Sequence, residues 1–166
     1  EFAGGYAVHL RSETTRLLPA LEEALDIGRA TGTHVEIYHL KAAGQANWPL
    51  LPLALERIEA ARAEGLDVSA NMYPYTAAAT GFDAAMPPWV QEGGTAAWIA
   101  RLSDPAIRTR VVAEIEGPPG EWENFYAAAG SPERIRFIGF RRETLKSLTG
   151  KTLAEGAAIR GRSPAE

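Results

Sequence analysis

The chain has 166 residues, 46% hydrophobic and 23% charged, which is one ordinary domain with enough apolar material for a core. Its net charge is −4 and its basic residues are scattered, with no basic stripe interleaved with aromatics, so nucleic acid is not the expected partner. It has no cysteine, which rules out a disulfide framework and a thiolate ligand or nucleophile within the chain, and no apolar run of about 18 residues or secretory pattern, so a soluble, cytoplasmic protein is expected.

The chain begins at Glu1-Phe2 without methionine and enters a strand almost at once, which suggests a piece of a longer protein. Gly4 and Gly5 precede a first predicted strand, Tyr6 to Leu10. Ser12, Glu13 and Thr14 are polar start signals for a helix. Leu17, Leu18, Leu21, Ala24, Leu25 and Gly28 then recur at helical spacing as far as Thr31-Gly32. A second strand is predicted from His34 to Tyr38 or His39, closing on His39-Leu40-Lys41 and breaking into Ala42-Ala43-Gly44. Asn47-Trp48-Pro49 opens a second helix with Leu51, Leu55, Ile58 and Ala61 as its apolar stripe and Gly65 near its end. The third strand runs from Leu66 to about Met72 and ends in Tyr73-Pro74-Tyr75-Thr76. This β-α-β-α-β order with short connections predicts an α/β fold with a parallel sheet and right-handed crossovers. Three strands leave both sheet edges open, which favours self-association.

From residue 80 the character changes. Residues 77–90 are rich in Ala, Pro and Gly and read as an irregular apolar loop. A helix is predicted near Thr95 to Arg101. Asp104-Pro105 is an N-cap followed by proline at the first helical position, with Ile107, Val111 and Ile115 in step. Gly117-Pro118-Pro119-Gly120 stops that helix, and a strand-like stretch follows at Arg134 to Phe140. Thr152-Leu153-Ala154-Glu155 is a capping box opening a last helix that reaches Arg160. Three divisions are expected: 1–79 as the β-α-β-α-β portion, 80–149 as a lid-like insertion, and 150–166 as a return helix. The aromatic residues Trp89, Trp98, Trp122, Phe125 and Phe137 of the insertion need burial.

Chemistry in α/β folds sits past the carboxyl ends of strands. His9 and His39 both close strands, and two readings stand: a pair of zinc ligands, or two imidazoles bonded to backbone. His34 opens its strand at the opposite end and is taken as structural. Alternation places Lys41 on the same side as His39, either to bind a substrate carboxylate or as a solvated lysine. Tyr73 is either a phenol that donates to a developing oxyanion or a core aromatic. Arg11 and Glu13, just after His9, are either orienting partners of a metal ligand or a plain surface pair. A catalytic zinc takes three protein ligands and an open position, and two histidines do not complete that set.

Taken together, His9-Leu10-Arg11-Ser12-Glu13, His39-Leu40-Lys41-Ala42-Ala43-Gly44, Asn47-Trp48 and Tyr73-Pro74-Tyr75-Thr76-Ala77 resemble the N-acyl-D-amino-acid deacylase (D-aminoacylase) family of the amidohydrolase superfamily. So do Pro87-Pro88-Trp89, Gln91-Glu92-Gly93-Gly94 and Gly150 to Glu155. The resemblance implies a (β/α)8 TIM barrel, of which this chain would hold about strands four to six and the insertion after them. It implies a zinc cofactor with His9 and His39 as metal ligands, Lys41 as the grip on the substrate carboxylate, and Tyr73 as catalytic and substrate-binding tyrosine. The implied activity is hydrolysis of N-acyl-D-amino acids, small-molecule substrates. The family's first-strand histidine pair, its cysteine and its late aspartate have no counterpart here, so the isolated chain is expected to be inactive. Tyr38 and Asn71 stand where the family usually has serine and aspartate. Two rival readings are an amidohydrolase acting on cyclic amides or dipeptides, and a non-catalytic α/β fragment.

Overall fold

A computed structural model describes residues 4–118, 120 and 122–166. The chain divides into two compact units, one up to residue 79 and one from residue 80.

The first unit is a three-stranded parallel sheet in the order β1-β2-β3 with helices on one face. Strands β1 (Tyr6–Val8), β2 (Val35–Ile37) and β3 (Val68–Ala70) alternate with helices α1 (Leu17–Thr31) and α2 (Leu50–Ala63). Tyr6 pairs with Val35 and Val8 with Ile37, while Val35 pairs with Val68 and Ile37 with Ala70. Side chains alternate across a strand. Val35, Ile37 and Val68 therefore enter the core, and Glu36 and Ser69 lie on the other face. The core joins those strand residues to Leu17, Leu21, Ala24 and Leu25 of α1 and to Ala54, Ile58 and Ala61 of α2. Each fully buried Leu or Ile contributes roughly 1.5–3 kcal/mol.

Where α1 crosses the sheet, a Cβ on Gly28 would lie 2.6 Å from Val35 Cγ2, so the missing side chain is what permits the close approach. Helix α1 ends on Gly32 in the left-handed conformation, its N–H donating to the Gly28 carbonyl.

The strands are shorter than their sequence pattern suggests and end at Val8, Ile37 and Ala70, with a few backbone hydrogen bonds continuing just beyond them. The polar run Ser12-Glu13-Thr14 does not cap α1. The helix starts later, after Arg16, and all three polar residues are buried in the preceding turn. On α2 the buried line is Ala54, Ile58 and Ala61, and Leu55 is exposed. The expected stripe was one position off there: Ala54, not Leu55, is buried in the core.

The second unit is helical. Short helix α3 (Pro88–Gln91) follows a 3-10 turn at Phe82–Ala85. Then come α4 (Gly94–Ser103), α5 (Pro105–Glu116), α6 (Phe125–Ala129) and α7 (Leu153–Arg160). Met86, Val90, Val111 and Ile115 form its core, with Trp89, Trp98 and Trp122 packed against it. Asp104 caps α5 by accepting from Ala106 N–H, and Thr152 with Glu155 forms the capping box of α7. The stretch from Arg134 to Phe140 is not a strand. It makes one isolated antiparallel bridge, Arg136 to Thr152, and lacks a partner strand among the described residues. Pro119 of the predicted helix stop lies outside the described residues.

Candidate functional site

The carboxyl ends of β1 and β2 bring four side chains of the first unit together. Tyr38 N–H donates to the Val8 carbonyl at 2.9 Å and prolongs the pairing by one step. Beyond it the two loops are tied to each other, because Ala43 N–H donates to the Glu13 carbonyl at 2.7 Å. Asn47, itself buried, donates its side-chain amide to the Ala43 carbonyl and fixes the second loop.

His39 stands at φ 72, the non-glycine residue with a left-handed backbone among those described. An L-residue there costs roughly 1–2 kcal/mol, and such outliers cluster at functional sites. Lys41 lies on the same side as His39, as expected, but strand alternation is not what puts it there. The strand has already ended at Ile37, and His39 takes the left-handed conformation. Lys41 Nζ then reaches the His39 carbonyl at 2.8 Å and lies 3.2 Å from His39 Nδ1.

His9 Nδ1 and His39 Nε2 face each other at 2.9 Å, with the rings edge to face. Glu13, only 4% exposed, directs Oε1 to within 2.5 Å of Lys41 Nζ, 3.1 Å of His39 Nδ1 and 3.9 Å of His9 Nδ1. One ligand atom from each of His9, Glu13 and His39 lies within 4.8 Å of the others. The rings thus bond to each other, unlike strand-end histidines held by backbone. Lys41 also lies 5.5 Å from the centroid of the Tyr73 ring, within cation–π range. An open cleft of about 300 Å3 adjoins Lys41, lined by Leu40, Ala42, Trp48, Leu51 and Met72.

The donor set suits zinc. Around a tetrahedral zinc with bonds of 2.0–2.1 Å, two ligand nitrogens sit roughly 3.3 Å apart. The separation between His9 Nδ1 and His39 Nε2 is within half an ångström of that value. Two imidazoles alone do not complete a catalytic ligand set.

Arg11 does not join this group. Its guanidinium pairs with Glu23 of α1 at 2.6 and 2.9 Å on an exposed surface, and not with Glu13, so the two do not form the surface pair that was one of their readings. Glu13 joins the cluster instead, and its place in H-x-x-x-E, four residues after His9, was the available signal. His34 lies at the amino end of β2, where Nδ1 is 3.0 Å from Asp67 and Nε2 is 3.2 Å from Ser69 Oγ. Ser69 in turn donates to Glu36, as does Asn71. These donations hold the Glu36 carboxyl below the usual carboxylate range, Ser69 first and Asn71 second.

No protein-family model matches the chain. It is 44% identical over 77 residues to a D-aminoacylase of Alcaligenes xylosoxydans xylosoxydans, covering 46% of this chain and 16% of that protein. To an N-acyl-D-glutamate deacylase of the same organism it is 38% identical over 72 residues, covering 43% of this chain and 15% of the relative. Among solved structures, an N-acyl-D-glutamate deacylase from Bordetella bronchiseptica, complexed with zinc and a phosphonate inhibitor mimicking the tetrahedral intermediate, superposes with a TM-score of 0.64. At 23% identity that likeness shows the fold alone, over 98% of this chain and 25% of that one. A D-aminoacylase described as defining a novel subset of amidohydrolases superposes with a TM-score of 0.56 at 29% identity, again over 98% of this chain and 25% of that one. The chain thus spans about a sixth of the length of the curated relatives it matches.

Proposed function

We infer that this chain, similar to the D-aminoacylases in sequence and in fold, is a segment of a zinc-dependent hydrolase of N-acyl-D-amino acids and carries part of its active site. The observation that supports this reading most is the meeting of His9, His39, Glu13 and Lys41 at the carboxyl ends of two adjacent parallel strands. In the parent protein the sheet would be about strands four to six of a (β/α)8 barrel, residues 80–149 an insertion after those strands, and 150–166 its return helix.

His9 and His39 would hold the metal, together with ligands from outside the chain. Bound zinc supplies polarisation of the amide carbonyl and a more acidic water. Lys41 is held in place by Glu13 and the His39 carbonyl and presents its positive charge to the α-carboxylate of the substrate. Tyr73, beside Lys41, offers its hydroxyl to the oxygen that gains charge as the amide is attacked. The apolar cleft next to Lys41 suits an uncharged part of the substrate. The amide C–N bond breaks, water adds its hydroxyl to the acyl carbon and its remaining proton to the departing nitrogen, and a carboxylate and a free D-amino acid leave.

The test is the full-length parent, assayed with zinc on N-acyl-D- and N-acyl-L-amino acids, cyclic imides and dipeptides. Turnover confined to the D-series, lost on His39→Ala, is the expected result. Lys41→Met should raise KM by roughly 10- to 100-fold, the worth of one charge-assisted hydrogen bond. Turnover confined to cyclic imides would show the substrate assignment wrong, and a parent that neither binds zinc nor hydrolyses any of these would favour a non-catalytic domain.

A further inference from the structure

We propose that Asn47 is a positioning residue: through the peptide groups of Ala43 it fixes where Lys41 stands, and so governs the grip on the substrate carboxylate; this rests on the zinc-hydrolase reading above. Asn47 is buried and closes a 3-10 turn, Gln45–Asn47, that follows Gly44. Its side chain meets the main chain four residues back, where Nδ2 lies 2.7 Å from the Ala43 carbonyl oxygen.

Chemistry fixes the orientation of that amide. A carbonyl oxygen only accepts, so the NH2 end of Asn47 must face it. Ala43 is held on its other side too, because its N–H donates to the Glu13 carbonyl at 2.7 Å. Both peptide groups flanking Ala43 are therefore tied, and with planar peptides that leaves its two backbone dihedrals little freedom. At the other end of the same segment, Leu40 N–H donates to the Asn71 carbonyl at 2.9 Å. Between these anchors stand Lys41 and the buried Ala42.

Lys41 thus sits on a span of chain fixed at both ends. Its Nζ meets Glu13 Oε1 at 2.5 Å and the His39 carbonyl at 2.8 Å. Glu13 receives the loop on its carbonyl and the ammonium on its carboxylate. A shift of Ala43 against Glu13 is therefore also a shift of Lys41 against its partner. The side chain of Asn47 carries no charge, so its effect on an anionic substrate runs through the loop. A lost contact of that kind weakens binding of ground state and transition state alike, which raises KM and leaves kcat.

The experiment is a double-mutant cycle on the full-length parent, with zinc and an N-acyl-D-amino acid that it hydrolyses. Asn47→Asp keeps the shape and turns the donor into an acceptor. It is expected to raise KM about 3- to 10-fold, the worth of one hydrogen bond, with kcat within about twofold. In the Lys41→Met background, where no ammonium is left to misplace, the same change should move KM by less than about twofold. An equal rise in both backgrounds, or a loss in kcat instead of a rise in KM, overturns the proposal. If Asn47→Asp does not fold, Asn47→Ala completes the same cycle. Loss of folding in both makes Asn47 a residue of the core and overturns the proposal as well.

A second readout needs no turnover. Hydrogen–deuterium exchange across residues 40–48 of the metal-free parent should quicken about 3- to 10-fold in Asn47→Asp, because one anchor of the loop is gone. Unchanged exchange there overturns the proposal. A parent that hydrolyses none of the substrates above, while that exchange does quicken, sinks the hydrolase reading and leaves the tether of Ala43 by Asn47 standing.

Discussion

His39 combines two demands at one position: a ring that must face His9, and a backbone at φ 72 that suits glycine better. Replacing the ring by hydrogen or by methyl separates them. His39→Gly should be more stable than His39→Ala by about 1 kcal/mol in chemical denaturation, because only alanine keeps the left-handed penalty. Equal stabilities would mean that the turn costs nothing. Glu36 provides a second test at this scale. Its folded carboxyl lies below the ordinary range because Ser69 and Asn71 donate to it. A depressed carboxyl stabilises the fold above the unfolded value of about 4.3, and that contribution fades as pH falls through the folded value. Acid titration of wild type should therefore lose more stability below about pH 4.5 than Glu36→Gln does. Parallel curves for the two proteins would contradict the hydrogen bonding.

At the scale of elements, the contact of α1 with the sheet depends on an absent side chain. Gly28→Ala improves helix propensity by up to about 1 kcal/mol. The new Cβ nevertheless meets Val35 at 2.6 Å and Leu66 at 3.1 Å. The expected outcome is net destabilisation of about 1–2 kcal/mol, read from the denaturation midpoint. In the helical unit, Thr152→Ala removes the hydroxyl that accepts from Glu155 N–H and should cost about 1 kcal/mol. A loss under a few tenths of that would mean α7 is held by packing alone.

These two helices also show what the sequence could and could not tell. The box at Thr152 and Glu155 and the cap at Asp104 were readable because a cap is local chemistry, complete within four residues. The meeting of His9 with His39 was readable because two strands ended alike. The stretch from Arg134 to Phe140 misled because a strand exists only by virtue of a partner, and Arg136 has a single bridge to Thr152. Glu13 was ambiguous for a similar reason. Its partners Lys41 and His39 are 28 and 26 residues away, and only the fold brings them near.

For the whole molecule, the sheet of the first unit has β1 and β3 at its edges. Exposed edges are templates for pairing with another chain. The isolated 166-residue chain should accordingly associate in sedimentation velocity, and a full-length parent in which neighbouring strands cover both edges should not do so by this route. A strictly monomeric isolated chain over a wide concentration range would show that these short edges are harmless.

The parallel pairing also sets an order of events in time. Tyr6 meets Val35, and Val35 meets Val68, across connections that contain α1 and α2. Closing loops of that length must precede any reward from the contacts they make, which slows their formation. The His9–His39 encounter spans 30 residues and belongs to the far side of the first closure. The imidazole pair therefore requires that closure, and an ion captured by both rings would act as a latch on the closed loop.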